Sequence, residues 1–373
     1  MRVAIVQKDL KNLRSGVSRL VRAELDALTK AQHEPILISE RVNPVTYQNT
    51  SAHVYKTLRW PFKGYFRRRF FLWQSERLLR KLEPDVSIAH GDISNVDICF
   101  IHNCVHLEHE IIHGSELPID NDVGQLHTEV LTQQRFLVLV CNSEIMKRDL
   151  VSRFSIQDKQ IEVLYPCCDP EAVIHPTLDQ RKGLGISPDD LVLGLITSGN
   201  FKKRNVGLFL EATAQLRSPK PLHIVVAGNG KESDFQDLLA GHPHKVHFLP
   251  STDQVANYYA MLDVFALPAH IEEFGMSALE AMTCEKPVVL HHMVGASEIV
   301  EGESRRFVLQ TLQRNMWVDA LQELCDDPGL RIRVARQNAE TARKYTAREQ
   351  DKQFMRILND VFSGDSVATN STS

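Results

Sequence analysis

The segment His270-Ile271-Glu272-Glu273-Phe274-Gly275-Met276-Ser277-Ala278-Leu279-Glu280-Ala281-Met282 is the most informative stretch of this chain. It follows the apolar run Val264–Leu267, which is typical of a buried strand, and it opens a helical pattern. Open α/β sheets bind ligands at the carboxyl ends of their strands, where the first helix amides point outward. We therefore expect Phe274–Ser277 to bind an anion or a sugar hydroxyl, and Glu272 and Glu280 to accept hydrogen bonds from hydroxyl groups. Surface carboxylates on a helix are the alternative.

Strands and helices alternate on both sides of this segment, which implies parallel sheets covered by helices. A helix is predicted over Val206–Leu216, and the pattern is interrupted between Tyr165 and Asp190, where proline and charged residues cluster. The sequence therefore predicts an α/β chain of two doubly wound, Rossmann-like domains that face an interdomain cleft. Besides Val264–Leu267, the predicted strands are Val3–Val6, Pro35–Ser39, Val86–Ala89, Ile98–Ile101, Leu137–Cys141, Leu191–Ile196, His223–Ala227, Val246–Leu249 and Pro287–Leu290.

The expected domains are residues 1–168, which bind the acceptor, and residues 169–346, which bind the donor. A last helix at about 347–362, with Phe354, Ile357, Leu358 and Val361 on one face, is expected to pack back on the first domain. The small, polar tail 363–373 is expected to be disordered.

Composition excludes several classes of protein. Of 373 residues, 43% are hydrophobic and 24% are charged, and the formal net charge is −4. Such values exclude global disorder, a collagen-like rod and an integral membrane protein. They also disfavour nucleic acid as a partner, since any basic site must be local. The N-terminal apolar run is too short for a secretory signal, so we expect a cytoplasmic protein whose seven cysteines are free thiols.

The segment around Glu272 resembles the Glu-x7-Glu signature of retaining glycosyltransferases of family GT4. The family form is E-G-F-G-x4-E-A-M followed by G-x-P-V-V. This chain has Glu272-Glu273-Phe274-Gly275, then Glu280-Ala281-Met282 and Glu285-Lys286-Pro287-Val288-Val289, with Glu273 where the family has glycine. The resemblance implies a GT-B fold, in which Glu280 binds the nucleotide ribose and Glu272 binds the donor sugar.

A basic segment, Ser198-Gly199-Asn200-Phe201-Lys202-Lys203-Arg204, resembles the family's G-R…K-G segment. The resemblance implies that its cations hold the donor diphosphate, with Arg204 at the lysine position. Because Asn200 replaces the usual arginine, Lys202 or Lys203 is expected to supply the second charge. Two or three cations beside a helix N-terminus suit a diphosphate leaving group. A solvated basic turn is the alternative.

Four further matches support the resemblance. Arg14-Ser15-Gly16-Val17 resembles the N-terminal glycine-rich loop, where Gly16 would let the backbone approach a phosphate or the acceptor. Ala227-Gly228-Asn229-Gly230 and Gly295-Ala296-Ser297-Glu298-Ile299 resemble the family's G-x-G and G-G-x-x-E segments. His102, which ends a predicted strand, matches the histidine that contacts the donor sugar at the reaction centre. A structural role for His102 is the alternative.

Two rival motifs point to metal chemistry. His109-Glu110-Ile111-Ile112-His113 is a literal HExxH, the helical zinc motif of metalloproteases. Asp120-Asn121-Asp122 is a literal DxD, the metal–nucleotide motif of GT-A transferases. Neither motif explains the second half of the chain, but a zinc hydrolase remains an alternative function.

The segment Arg59–Trp73 combines aromatic residues with five cations and no acid. One interpretation is an amphipathic helix with aromatic residues in the core and solvated arginines. The other is an interface for an anionic membrane or an anionic lipid acceptor. The residues assigned to that interface are Trp60, Lys63, Arg67, Arg68, Arg69 and Trp73.

These features predict a metal-independent retaining glycosyltransferase without a cofactor. It would move a hexose-type sugar from a nucleotide-diphosphate donor, most readily a UDP-sugar, to a glycan or glycolipid acceptor. Bacterial lipopolysaccharide-core and envelope-glycan transferases are the most similar in pattern, which implies a place at the cytoplasmic face of the inner membrane. An inactive peripheral membrane-binding protein remains a third hypothesis.

Overall fold

The chain folds into two units of parallel α/β structure. The computed structural model describes residues 1–12, 15–62, 64–91, 93 and 95–364. The first unit comprises Met1–Tyr165 and the chain from Ala347 onward, and the second is Pro166–Thr346. The first unit ends at Tyr165 rather than at 168 because the Cys168 amide donates a hydrogen bond to the Tyr345 carbonyl of the second unit (3.1 Å).

The first unit is built on a parallel sheet whose central strands are buried on both faces. All of Val3–Val6 is at most 1% exposed, as expected for a parallel strand between helical layers. In chain order the strands are β1 Arg2–Val6, β2 Asp9–Leu10, β3 Glu34–Ser39, β4 Arg41–Val42, β5 His53–Lys56, β6 Val86–His90, β7 Ile98–Ile101, β8 Val138–Cys141 and β9 Ile161–Val163. Within the described residues the sheet order is β5-β3-β1-β6-β7-β8-β9, and β2 pairs with β4 in a separate ribbon.

Five helices of the first unit connect these strands. The first begins at Gly16, where the Ser15 hydroxyl accepts a hydrogen bond from the Ser18 amide (3.1 Å) and caps the helix. The others lie between later strands of the sheet. Their bounds are α1 Gly16–Lys30, α2 Tyr65–Leu82, α3 Val105–His113, α4 Asp122–Gln133 and α5 Glu144–Phe154.

The second unit repeats this plan. In the part of the chain that is described, its strands form one parallel sheet in the order β12-β11-β10-β13-β14-β15. The strands are β10 Leu191–Ile196, β11 Leu222–Ala227, β12 Lys245–Leu249, β13 Val264–Leu267, β14 Val288–His291 and β15 Val308–Leu309. The helices are α6 Pro170–Val173, α7 Gln180–Leu184, α8 Val206–Thr213, α9 Gln236–Leu239, α10 Ala256–Met261, α11 Met276–Thr283, α12 Arg314–Asp326 and α13 Pro328–Ala342.

The last helix, α14 Ala347–Ser363, belongs to the first unit. Its residues Phe354, Ile357 and Leu358 are at most 3% exposed and join the core that holds α1. Because α14 includes Ser363, the helix extends into the predicted tail 363–373. Residues 365–373 lie outside the described residues. None of the described helices is long and apolar enough to cross a membrane.

The two-sheet α/β architecture predicted from the sequence is confirmed. The predicted helix from Val206 ends at Thr213 instead of Leu216. The sequence analysis missed the edge strands β5, β9 and β15. These strands have two to four residues each, too few for a strand pattern to show.

Candidate active site

Two loops predicted to bind the donor meet at the carboxyl edge of the second sheet. The basic loop, residues 197–205, connects β10 to α8, and the acidic loop, residues 268–275, connects β13 to α11. Because β10 and β13 are neighbours in the sheet, their following loops lie side by side. This edge is where open α/β sheets bind ligands.

The basic loop is shaped by residues with positive φ. Gly199 has φ +148°, and Asn200 and Asn205 have φ +53° and +52°, a conformation that asparagine tolerates better than most residues. The Asn200 side-chain oxygen accepts a hydrogen bond from the Lys203 amide (3.1 Å). Asparagine at this position therefore builds the turn itself, which explains its presence where the family has arginine.

Three contacts join the basic loop to the acidic loop. The Arg204 guanidinium binds the Glu272 carboxylate, with Nε 2.5 Å from Oε1 and Nη2 3.1 Å from Oε2. The Lys203 ammonium lies 3.0 Å from the Glu273 carboxylate. The His270 amide donates to the Lys203 carbonyl (2.9 Å). Predicted donor-binding residues from two separate motifs are thus brought into one cluster.

These contacts distinguish a buried cation of the basic loop, Lys203, from an exposed one, Lys202. The Lys203 side chain is only 6% exposed and its ammonium is held by Glu273, so its predicted role as a diphosphate ligand is not supported. Lys202 is exposed and lines a surface depression together with Asn229 and Lys231. Burial and then the Lys202 charge lower the pKa of His270. Lys202 is therefore the cation of the basic loop, besides Arg204, that a ligand could reach.

The acidic loop is anchored to the segment after β14. The Glu272 amide donates to the Met293 carbonyl (3.0 Å), and the Gly295 amide donates to the Glu272 carbonyl (3.0 Å). Gly275 has φ +95°, and a Cβ there would lie 2.8 Å from a methyl group of Val294. Glycine is thus required at position 275 on two counts, by its backbone angle and by the close approach of the neighbouring segment.

Glu280 lies in α11, which begins with Met276 and Ser277. It is bound by Tyr259, whose hydroxyl donates to the Glu280 carboxylate (2.7 Å) and also lies 3.1 Å from the Ser277 carbonyl. Tyr259 is fully buried, and burial together with the Glu280 charge raises the pKa of its phenol well above the usual value. Tyr259 therefore stays protonated and orients the carboxylate of Glu280.

A second polar cluster lies in the first unit at the carboxyl ends of β6 and β7. His102 follows β7, and its Nε2 lies 2.9 Å from Nδ1 of His90, the last residue of β6. The Nε2 atom of His90 lies 2.9 Å from the carboxylate of Glu24 on α1. His90 and Glu24 are at most 4% exposed, and the two imidazole rings stack 5.2 Å apart.

This chain of contacts determines which atoms of His102 are available. The Glu24 carboxylate only accepts, so a neutral His90 carries its proton on Nε2 and offers Nδ1 as an acceptor. His102 then donates through Nε2, and the Asn142 side chain also hydrogen-bonds its ring. Burial, followed by the neighbouring His90, lowers the pKa of His102 to about 3. His102 is thus a neutral hydrogen-bonding group at pH 7 and no proton donor of imidazolium type.

Gly16, the first residue of α1, faces open space, since a Cβ built there meets no atom within 4 Å. Arg14, the first residue of the segment that resembles the glycine-rich loop, lies outside the described residues. The sequence analysis missed Glu24, His90 and Tyr259. His90 had one usable signal, because it follows a predicted strand adjacent to the strand that leads to His102. No sequence pattern indicated Glu24 or Tyr259, because both lie on helices and only the tertiary fold brings them to His90 and Glu280.

The metal motifs have structural roles in this fold. In the HExxH motif on α3, both carboxylate oxygens of Glu110 bind the Arg153 guanidinium (2.6 and 2.8 Å), and this contact lowers the pKa of Glu110. Glu110 is therefore not available as a base beside a zinc ion. In the DxD match, Asn121 caps α4 by accepting from the Val123 and Gly124 amides. Among the described residues, no group of three His, Cys, Asp or Glu side chains is placed to hold a metal.

The basic aromatic segment leads into α2 and forms its first turns, and two of its arginines bind acids of the first unit. Arg67 binds the Glu40 carboxylate, and Arg69 binds Glu129. Each guanidinium is thus held by an acid of its own unit, with the Arg67 side chain 13% exposed and the Arg69 side chain 42% exposed. A membrane contact of these two arginines stays a prediction. Trp60 and Trp73 both pack on Phe70, with ring centroids 5.2 and 6.0 Å away. Lys63 lies outside the described residues.

Comparison with known families gives two matches that together cover most of the chain. A model described as "Glycosyltransferase Family 4" matches residues 14–172, and a model described as "Glycosyl transferases group 1" matches residues 179–344. The chain belongs to glycosyltransferase family 4. The resemblance inferred from the motifs is thereby confirmed.

Individual relatives of this glycosyltransferase are distant. A D-inositol 3-phosphate glycosyltransferase of Actinosynnema mirum is 26% identical over 62% of this chain and 60% of its own length. An alpha-D-kanosaminyltransferase of Streptomyces kanamyceticus is 27% identical over 49% of this chain and 48% of its own length. The chain thus spans between about half and two thirds of these curated relatives.

Solved structures show the same fold at low identity. WaaG, a glycosyltransferase involved in lipopolysaccharide biosynthesis, has a TM-score of 0.74 at 16% identity and covers 97% of this chain and 100% of its own. Anabaena Alr3699/HepE in complex with UDP-glucose has a TM-score of 0.72 at 15% identity, covering 96% and 100%. Both support a GT-B fold with two Rossmann-like domains.

The Lys203–Glu273 pair should stabilise the second unit of the glycosyltransferase. Glu273→Ala leaves a nearly buried ammonium without this carboxylate, which we expect to cost about 3–5 kcal/mol of unfolding free energy. The double variant Lys203→Met with Glu273→Leu should recover most of that loss. Urea denaturation measures both. Glu301→Ala, which breaks the exposed pair with Lys344, serves as control and should cost at most about 1 kcal/mol. A similarly small effect of Glu273→Ala would contradict the assignment.

The His102 environment predicts a dependence of stability on pH. The folded pKa of His102 is about 3, whereas the unfolded value is about 6.5. Between these values only the unfolded chain binds the proton, so stability falls as the pH drops from about 6.5 toward 3. His102→Asn should reduce this slope by up to about 1.4 kcal/mol per pH unit in urea denaturation of the first unit. His175→Asn, at an exposed site, should leave the slope unchanged, and equal slopes for His102→Asn and the parent protein would refute the burial of a neutral His102.

Proposed function

We propose that this glycosyltransferase moves a hexose-type sugar, with retention of configuration, from a nucleoside diphosphate sugar to a glycan or glycolipid acceptor. The second unit would bind the donor and the first unit the acceptor. The observation that carries the proposal is the contact between Arg204 and Glu272, which brings the cation of one predicted donor motif onto the acid of the other. A UDP-sugar is the preferred donor, since HepE of the same fold binds UDP-glucose.

The donor would be held by groups whose orientation is fixed in advance. Glu280, oriented by Tyr259, would accept hydrogen bonds from the ribose hydroxyls. Arg204 and the exposed Lys202 would stabilise the diphosphate, on which negative charge accumulates as the glycosidic bond breaks. The backbone of Phe274–Ser277, at the start of α11, would contribute amide donors. None of these steps requires a metal ion.

The reaction centre in the first unit would include His102. As a neutral ring, it suits a hydrogen bond with a hydroxyl of the donor sugar rather than proton transfer. Glu272 is the second residue proposed to contact that sugar, with Arg204 as its counterion. The leaving diphosphate, rather than a side chain of the protein, would then take the acceptor proton, as a front-face mechanism requires.

A ligand screen followed by a transfer assay tests this function. Thermal shift with UDP, GDP, ADP and their sugars should show stabilisation by one nucleotide, about 2.7 kcal/mol when the ligand is present at a hundred times its dissociation constant. That sugar nucleotide should then be consumed in the presence of candidate acceptors, with or without a chelator. Absence of stabilisation by every nucleoside diphosphate would overturn the proposal.

Replacing the Glu280 charge should weaken nucleotide binding and spare the fold. Glu280→Gln keeps an acceptor for the Tyr259 hydroxyl but removes the charge that strengthens hydrogen bonds from the ribose. Loss of a charge-assisted bond lowers affinity by about one to two decades. Calorimetric titration with UDP measures the change, and Asp319→Asn on the exposed face of α12 is the matched control. Equal UDP affinities in Glu280→Gln and Asp319→Asn would remove Glu280 from the site.

We also propose that the start of α2 contacts an anionic membrane, where a lipid-linked acceptor of the bacterial envelope would be found. The support is a group of exposed apolar side chains, namely Leu58 (74% exposed), Phe62 (71%), Phe66 (76%) and Trp73 (51%). Arg59 and Arg77 lie among them and give the surface a charge complementary to anionic lipid. Aromatic side chains favour the boundary between headgroups and acyl chains.

Removing two of these aromatic side chains should abolish membrane binding. Phe62→Ser with Phe66→Ser should lose co-sedimentation with anionic vesicles at low salt and keep the affinity for UDP. Leu178→Ser, which removes an equally exposed apolar side chain from the second unit, should sediment as the parent protein does. If the parent protein ignores anionic vesicles at low salt, the membrane proposal fails.

A further inference from the structure

Three arginines from separate elements converge at the carboxyl edge of the first sheet. Arg41 lies in β4, Arg59 follows β5, and Arg67 lies in the first turn of α2. Between them is the side chain of Glu40, which is 1% exposed. We refer to Arg41, Arg59 and Arg67 as the arginine cluster. Neither the donor site nor the sugar-contacting residues of the first unit use it.

The positive charge of the arginine cluster exceeds the negative charge that faces it. Arg67 binds both carboxylate oxygens of Glu40, and Arg59 Nε lies 3.7 Å from the same carboxylate. Arg41 binds Asp9, its partner across the β2–β4 ribbon. Among the described residues, three guanidinium groups thus share two carboxylates.

Two observations at Arg41 indicate this excess of positive charge. Burial, and then the charges of Arg59 and Arg67, lower the pKa of Arg41, which means that the three guanidinium groups repel one another. The Nε atom of Arg41 is buried and has no acceptor among the residues that the structure describes. An added anion would relieve this repulsion, as expected of a charged site arranged for a ligand.

The three arginines differ in exposure, and this difference separates their roles. The side chain of Arg59 is 55% exposed and that of Arg41 is 35% exposed, whereas that of Arg67 is 13% exposed. Arg59 and Arg41 can therefore reach a ligand through donors that their carboxylate partners do not use. Arg67, held on the buried Glu40, acts as a positioning residue that fixes the carboxylate beside Arg59.

The position of the arginine cluster relates it to the reaction centre of the same unit. It lies at the end of β3, while His102 lies at the end of β7, and β1 and β6 are the strands between them. Three strand spacings of about 4.8 Å separate the two places by roughly 14 Å along the sheet edge. A ligand that presents a hydroxyl near His102 and an anionic group at the arginines would need the length of a sugar phosphate or a short phosphorylated glycan.

We propose that Arg41 and Arg59, supported by Arg67, bind a phosphate group carried by the acceptor. This inference rests on the proposed glycosyl transfer and names the class of acceptor, which is a phosphorylated sugar or a phosphate-bearing lipid-linked glycan. Guanidinium groups suit this ligand because their paired N–H donors match phosphate oxygens. An acceptor phosphate held here would fix the distance of its reacting hydroxyl from His102.

The test uses the full chain with saturating UDP, so that the donor site is occupied. Calorimetry compares glucose 6-phosphate with glucose at matched ionic strength, and sedimentation compares phosphatidylcholine vesicles with and without phosphatidic acid. We expect the parent protein to bind the phosphorylated probe in at least one of the two assays and not to bind the corresponding neutral probe. Binding in the calorimetric arm assigns a soluble sugar phosphate, and binding confined to vesicles assigns a lipid-borne phosphate.

Variants separate the arginine cluster from general charge. Arg59→Gln and Arg41→Gln should each weaken phosphate binding by about tenfold or more, while Arg80→Gln, an exposed arginine further along α2, should not. The proposal is overturned if the parent protein binds UDP but neither phosphorylated probe, or if all three variants bind alike. Failure to bind UDP would instead count against the proposed function.

Discussion

Two ion pairs, Arg204 with Glu272 and Lys203 with Glu273, hold together the proposed donor site of this glycosyltransferase. They connect loops that follow neighbouring parallel strands, β10 and β13. Each loop alone is a run of like charge that would repel itself, and each supplies the counterions of the other. The same contacts orient Arg204 and leave Lys202 exposed, so the two cations differ in how tightly the protein holds them. Electrostatic stabilisation is most effective when the charged groups are oriented before the reaction begins.

The first unit uses the opposite electrostatic strategy at its proposed reaction centre. Glu24, His90 and His102 form a chain of hydrogen bonds in which a single carboxylate orients two imidazole rings. Burial keeps His102 neutral, which suits hydrogen bonding to a sugar and avoids a positive charge near a bond that breaks heterolytically. Positive charge in this unit is instead concentrated at the arginines around Glu40, at the end of β3, three strands away from β7 and His102.

Local sequence patterns predicted the sheets and much of the candidate site. The strands were visible because parallel strands are buried on both faces and appear as short apolar runs. Glu272, Glu280 and Arg204 were visible because each lies at a fixed distance from a strand end. The pairing of Lys203 with Glu273 was not visible in the sequence, because it depends on which strands are neighbours. The inward orientation of Arg67 was hidden in the same way, because its partner Glu40 follows a strand far earlier in the chain.

The central claim is that Arg204 and Glu272 form one unit that holds the diphosphate and the sugar of the donor. The most direct measurement is calorimetric binding of UDP and of uridine to a double variant, Arg204→Gln with Glu272→Gln. This variant keeps two hydrogen-bonding side chains in place and leaves neither charge buried without a partner. The account predicts that UDP affinity falls by about tenfold or more while uridine affinity stays unchanged. Equal loss for both ligands, or no loss for UDP, would contradict it.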